Sequence, residues 1–198
     1  MLTEIRTALR PAASLLLLLA GVTGLAYPAL ITGVAQVALP AQANGSLIVD
    51  RGTVIGSALI AQGFAAPRYF HPRPSAAGKG YDASASGATN LAAGSKNLHD
   101  AIAGRVADAR AQGMTGGLTI PPDLVTTSAS GLDPDLSPEA AFWQIPRVAT
   151  ARGIPEARVR ALVERSIAWP LLGIIGEPHV NVLLLNRQLD RISTNPVP

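Results

Sequence analysis

From Pro11 to Val49 the chain carries no charged residue, with Arg10 before the run and Asp50 after it. A soluble helix has no need of such a stretch. Ala12 to Leu39, rich in Leu, Ala, Val and Gly, is about 28 residues long, more than the ~20 that a helix needs to cross a hydrocarbon core of ~30 Å. It therefore reads as a transmembrane helix with length to spare for tilt. Tyr27-Pro28 in its middle predicts one loosened turn and a kink, because proline has no N–H for the helix ladder. Gly21, Gly24 and Gly33 would let a second helix approach closely. Arg6, Arg10 and the amino terminus outweigh Glu4 on the short N-terminal side, which predicts a cytoplasmic N-terminus. The expected organisation is a cytoplasmic segment 1–11, a membrane span 12–39 and an extracytoplasmic domain 40–198. A cleaved signal peptide is the rival reading, since Ala41-Gln42-Ala43 has the small-x-small form of a cleavage site. The apolar run is longer than the ~7–15 residues of a signal-peptide core, so retention as an anchor is the reading adopted.

The residues after the span suffice for one domain of ordinary size with its own core. The sequence has no cysteine, which excludes disulfides, thiol chemistry and Cys-ligated zinc. Net charge is only +3 and no cationic run forms a patch, so nucleic acid is rejected as a partner. Leu47-Ile48-Val49 and Thr53-Val54-Ile55 about Asp50-Arg51-Gly52 predict a hairpin. Ala65 to Asn97 is dense in Gly, Pro, Ser, Ala and Asn and reads as a long irregular segment. Ser95 caps an expected helix from Asn97 to Gln112, with Leu98, Ile102 and Val106 on one buried face and Gly113 ending it. A second loop-rich region runs from Gly116 to Ser137. Ser137-Pro138-Glu139 is a cap, an N1 proline and an acid at the positive helix end, and that helix should stop at Gly153. Pro155 opens another to Ser166, and Val180 to Leu185 is read as the best strand. The fold class expected is α+β: one N-terminal transmembrane helix, then a single domain with a small β-sheet and several helices.

The residue chemistry carries no catalytic constellation. His71, His99 and His179 lack ligand-spaced partners, so no metal site is expected. The hydroxyls of Thr126 to Ser130 lack the G-x-S-x-G arrangement of a nucleophile elbow. Asp123, Asp133, Asp135 and Glu139 fit turns and caps better than a cation cage. Arg147, Arg152, Arg158, Arg160 and Arg165 read as a solvated face, with contact to an acidic partner as the alternative. On residues alone, the chain is a membrane-anchored binding or assembly domain, and an extracytoplasmic binding domain unrelated to transport remains open.

The string Pro122-Asp123-Leu124-Val125-Thr126-Thr127-Ser128-Ala129-Ser130-Gly131-Leu132-Asp133-Pro134, continuing through Leu136-Ser137-Pro138-Glu139-Ala140-Ala141, closely resembles the C subunit family of the bacterial Kdp potassium-transporting ATPases. Tyr69-Phe70-His71, Arg73-Pro74-Ser75-Ala76, Ala88-Thr89-Asn90-Leu91, Gln144, Arg147-Val148-Ala149, Gly176-Glu177-Pro178 and Val180-Asn181-Val182-Leu183 extend the likeness over nearly the whole chain. Pro72 stands where the family pattern has glycine, and Trp169-Pro170-Leu171-Leu172 is more apolar than that pattern. The resemblance implies a non-catalytic subunit in the bacterial inner membrane, its main domain periplasmic. Its partners would be a potassium-binding pore subunit, a P-type subunit that hydrolyses ATP and a small single-span subunit. The chain would stabilise their assembly and act as a catalytic chaperone raising the ATP affinity of the hydrolysing subunit. No tightly bound cofactor is implied, ATP being met only through the complex, with Gln144 as the nucleotide contact. Asn90, Asp123, Thr126, Ser128, Asp133 and Arg147 become candidate interface residues. The predicted topology opposes the nucleotide contact: cytosolic ATP does not reach a residue outside the membrane, and an amide beside Phe142 and Trp143 suits a core hydrogen bond.

Overall fold

The computed structural model describes residues 2–111 and 119–194, and the chain divides into two units, Met1–Leu47 and Ile48–Pro198. In the first unit α1 (Leu2–Gly21), a π-helical turn (Val22–Ala26) and α2 (Tyr27–Ala38) follow one another without a break. Residues 3–38 form the one helix, among the described residues, long and apolar enough to cross a membrane. The helix begins ten residues before Ala12, because residues 2–10 contain no breaker and adding turns to an existing helix is easy. Pro11 removes one ladder bond without ending it. The loosened turn expected at Tyr27-Pro28 takes the form of the π turn just ahead of the proline, where the Tyr27 N–H donates to Val22 O, five residues back. Widening that turn accommodates the ring. The Thr23 hydroxyl donates to Leu19 O at 2.7 Å, so this polar side chain is satisfied inside the helix. A single turn, α3 (Pro40–Ala43), follows, and Asn44 Nδ2 donates to Pro40 O at 2.7 Å and Gln36 Oε1 at 3.0 Å.

The second unit opens with the expected hairpin, β1 (Leu47–Asp50) and β2 (Thr53–Ser57). Arg51 and Gly52 have φ of 47° and 82°, the pair of left-handed residues that a two-residue hairpin turn demands. Residues 58–95 hold no helix or strand, so the irregular segment expected over 65–97 begins earlier and ends two residues sooner. The Ser95 hydroxyl then accepts from Leu98 N at 3.1 Å and caps α4 (Lys96–Ala111). Leu98, Ile102 and Val106 are only half-buried and Ala109 alone is buried, so the apolar face of α4 is thinner than expected. Gln112, Gly113 and Gly116, where that helix was to end and the next loop to begin, lie outside the described residues. A 3₁₀ turn (Pro122–Leu124) and the short strand β3 (Asp135–Leu136) follow.

The Ser137 hydroxyl accepts from Ala140 N, Pro138 takes N1, and α5 (Pro138–Arg152) ends on Gly153 at φ 64°. Next come α6 (Glu156–Ser166), β4 (Ile167–Ala168), β5 (His179–Asn181) and α7 (Val182–Thr194). Val180 to Leu185 is not one strand. The strand stops at Asn181, whose Oδ1 accepts from Leu184 N at 3.1 Å and so caps α7. Val182, Leu185 and Leu189 are buried, and their 3–4 residue spacing is helical rather than alternating. β5 is the centre of a three-stranded antiparallel sheet of order β3-β5-β4, pairing Leu136 and Ile167 with Val180. The core lies where α5, α6, α7 and β5 meet: Leu136, Ile145, Val148, Val159, Val163, Val180, Leu185 and Leu189, with Phe70 supplied by the irregular segment. Each such side chain contributes about 1.5–3 kcal/mol on burial.

Candidate functional site

Phe70 reaches the core from a segment that has no ladder of its own, which leaves buried backbone groups to be satisfied by side chains. Two amides do this. Asn186 on α7 accepts from Phe70 N at 2.8 Å and donates to Phe70 O at 2.9 Å. Gln144 on α5 does the same for the next residue, accepting from His71 N at 2.8 Å and donating to His71 O at 3.0 Å. Both amides are 2% exposed. They replace a missing neighbouring strand and fix residues 70 and 71 across two helices.

Two arginines extend the fastening. Arg147, one turn after Gln144, donates to Gln144 Oε1 at 2.6 Å and to the carbonyls of Pro67 and Tyr69 at 2.6 and 3.0 Å. Burial lowers its pKa to about 10, so it remains a cation at neutral pH. Arg152 donates to Arg68 O at 2.7 Å and pairs with Asp190 at 2.8 Å. The Tyr69 ring has the guanidinium groups of Arg68 and Arg152 each 5.0 Å from its centroid, and its hydroxyl donates to Asp190 at 3.1 Å. Arg158 donates to Ile192 O at 3.3 Å, and Arg160 lies 5.3 Å from the Phe142 ring centroid. The five arginines are therefore not one solvated face. Arg147 and Arg152 turn inward because the irregular segment offers them carbonyls, while Arg160 and Arg165 are exposed.

A second knot joins this segment to the hydroxyl-rich loop. Arg73 lies 3.1 Å from Asp133 Oδ2 and 3.9 Å from Asp123 Oδ1. Asp123 also accepts from Ser137 N at 2.8 Å, and Asp133 from Asp135 N at 3.1 Å. The Thr126 hydroxyl donates to Pro122 O at 2.8 Å and Ser130 Oγ accepts from Leu132 N, so these hydroxyls close turns. The Ser75 hydroxyl donates to Gly131 O at 2.6 Å, and Tyr81 to Arg73 O at 2.8 Å. Gly131, at φ 67°, leaves no room for a Cβ, which would stand 2.6 Å from Ala77 N and 2.8 Å from Gly87 O. Ser128 is 5% exposed, and Asn90 is exposed with φ 51°. The structure thus gathers Asp123, Thr126 and Asp133 around Arg73, sets Gln144 with Arg147, and leaves Asn90 apart.

Between the two knots lies a cleft of about 220 Å³ whose walls include His71, Tyr81, Arg105, Trp143, Gln144 and Arg147. Every polar atom of the Gln144 amide is already bonded to protein, its Nε2 also standing 3.4 Å from Ala140 O. Among the described residues, no group of three or more His, Asp or Glu side chains is placed to hold a metal. Burial, and then the Arg147 cation, lower the pKa of His71 from 6.5, against a bond to Ala66 O that raises it. The folded chain thus binds this proton more weakly than the unfolded chain. Stability from His71 is fully present above pH 6.5 and declines as acidification passes through the unfolded value toward the lowered folded one. Urea midpoints compared at about pH 7.5 and 5.5 should fall at the lower pH, and the fall should shrink in His71→Gln.

Sequence reasoning missed Asn186 and Arg73 as organising residues. A lone amide among Val182, Leu185 and Leu189 is the signal for the first, legible once that run is read as a helix. For Arg73 there was no local signal, since its carboxylates are 50 and 60 residues away.

The family described as K+-transporting ATPase, c chain (KdpC) matches residues 9–191. A potassium-transporting ATPase KdpC subunit of Caulobacter vibrioides (strain NA1000 / CB15N) is 56% identical over 183 residues, covering 92% of this chain and 92% of that protein. One of Allorhizobium ampelinum is 55% identical over 183 residues, covering 92% of this chain and 95% of the relative. One of Nitratidesulfovibrio vulgaris is 50% identical over 194 residues, covering 98% and 96%.

Proposed function

Because the chain belongs to the KdpC family and is the C subunit of a potassium-transporting ATPase, we propose that it is a non-catalytic assembly subunit, tethered by its helix and acting through the domain that follows. Its partners are the potassium-binding pore subunit, the P-type subunit that hydrolyses ATP and a small single-span subunit. The match over residues 9–191 carries this reading, since it takes in the helix and nearly all of the domain. The helix crosses the inner membrane with its N-terminus in the cytoplasm, held by Arg6 and Arg10, and the domain is periplasmic.

Gln144 serves as the fastening for His71 rather than as a nucleotide ligand, because its amide has no free donor or acceptor. Any gain in ATP affinity of the hydrolysing subunit is transmitted through subunit contacts, and no cofactor is held tightly. The exposed surface near Asn90 and the loop that carries Asp123, Thr126, the buried Ser128 and Asp133, fastened by Arg73, is the expected subunit contact. Purification through a tag on this chain should bring down the pump's other subunits in stoichiometric amount; recovery of the chain alone would sink the assembly role. Orientation is tested with Ala129→Cys, an exposed position in a chain without cysteine. A membrane-impermeant maleimide should label it in intact cells once the outer membrane is permeabilised, and labelling only after inner-membrane rupture would put the domain in the cytoplasm.

A further inference from the structure

Between β4 and β5, residues 169–176 contain no charge, the nearest charged residues being Arg165 and Glu177. Trp169, Leu171, Leu172, Ile174 and Ile175 are 72, 67, 82, 81 and 59% exposed. This is an ordered turn: Leu171 and Ile175 exchange both backbone hydrogen bonds at 3.0 Å, Gly173 N donates to Pro170 O at 3.0 Å and Ile174 N to Leu171 O at 3.3 Å. Leu172 takes φ 55° and Gly173 75° to close it. The tip thus spends left-handed geometry on a leucine whose side chain ends in the open. The other exposed large apolar side chains of this unit are scattered over β1, β2, α7 and separate loops.

Three features select lipid as the occupant. The N–H groups of Leu171, Gly173, Ile174 and Ile175 are bonded within the turn, which lowers the cost of setting its backbone against hydrocarbon. An indole at the base with aliphatic side chains beyond it matches a segment lying at the headgroup level with its tip in the acyl region. Only nine residues, 39–47, separate the end of α2 from the second unit, a tether of at most about 32 Å even when fully extended. We propose that the 169–176 hairpin inserts into the outer interface of the bilayer that the N-terminal helix crosses, giving the domain a second, peripheral hold on lipid. The proposal rests on the helix being a retained membrane anchor.

The test uses the full chain in nanodiscs made from ordinary or acyl-dibrominated phosphatidylcholine. Trp143 and Trp169 are its two tryptophans, so the difference between the chain and Trp169→Phe reports Trp169, with Trp143, 8% exposed, as internal reference. Brominated lipid should reduce Trp169 emission about two-fold if the ring sits at the ~5–10 Å depth of an interfacial segment. Leu172→Ser with Ile174→Ser should reverse most of that quenching. Trp169 that is untouched by brominated lipid yet freely quenched by iodide overturns the proposal, as does protection from iodide that appears only when the other subunits are added, which would make the occupant protein. A chain that fails to co-float with lipid overturns the anchor as well, and so separates the two failures.

Discussion

Gln144→Leu should lower the unfolding free energy of the domain by roughly 3–5 kcal/mol, read in urea from Trp143 fluorescence with the full chain in detergent. Leucine fills nearly the same volume, so the loss is polar. The N–H and C=O of His71 lose partners at 2.8 and 3.0 Å, each worth about 1–3 kcal/mol where water does not replace it. Arg147 loses its 2.6 Å acceptor while still charged, since its pKa falls only to about 10. Gln144→Glu keeps the acceptor for Arg147 but sets a carboxylate oxygen against His71 O, and should fall between wild type and leucine. Asn186→Leu should be comparable, because it orphans both backbone groups of Phe70. Since the two amides hold adjacent residues, their double mutant should show a coupling energy of ~0.5–3 kcal/mol. A residue kept only to touch nucleotide would leave the ligand-free chain within about 0.5 kcal/mol of wild type, and that result sinks the fastening role.

The amides and arginines also explain which parts of the domain the sequence disclosed. Signals that act within one turn of chain were readable: Ser95 and Ser137 as caps, Gly153 as a helix stop, Arg51-Gly52 as a hairpin turn. Each is satisfied by neighbours three or four residues away. The run from Val180 was misjudged because consecutive aliphatic residues suit strand and buried helix alike, and only the Asn181 cap with Asn186 turned toward Phe70 decides for the helix. What holds residues 66–77 was not readable at all. Those residues are irregular, and their partners stand on α5, on α7 and in the 122–133 loop, 50 to 121 positions along the chain. The same blindness made inward-turned Arg147 and Arg152 look like a solvated face, since a helix pattern shows where a side chain leaves the backbone but not which carbonyl waits for it.

That interlocking has a consequence for how the chain works in its complex. The irregular segment, the hydroxyl-rich loop and α5 are one fastened body, so a force applied at any of them is felt at the others. An exposed binding surface built from such parts loses little conformational entropy on docking, which favours an assembly role over that of a mobile arm.

Removing residues 1–40 should abolish both membrane retention of the chain and its recovery with the other subunits, and with them high-affinity potassium uptake, measured as growth or rubidium influx at micromolar potassium. Tethering matters because two proteins held on one membrane meet at an effective concentration that reaches millimolar for short linkers, and the tether here is residues 39–47. Deletion alone would confound loss of the tether with loss of export, so two companions are needed. A domain exported on a cleavable signal peptide should reach the periplasm and still fail at ordinary expression, recovering in part when strongly overproduced, as mass action requires. A domain carried by an unrelated single-span helix should regain retention. Full uptake in that chimera assigns the helix to tethering alone, whereas retention without full uptake assigns a packing role to the surface around the π turn at Val22–Ala26 and Gly33. The second outcome is expected. A π turn inserted ahead of Pro28 rotates every later side chain relative to those before it, so the faces of α1 and α2 are set in a register that a regular apolar helix does not reproduce. Full uptake from the untethered, exported domain at native levels would remove the anchor from the argument.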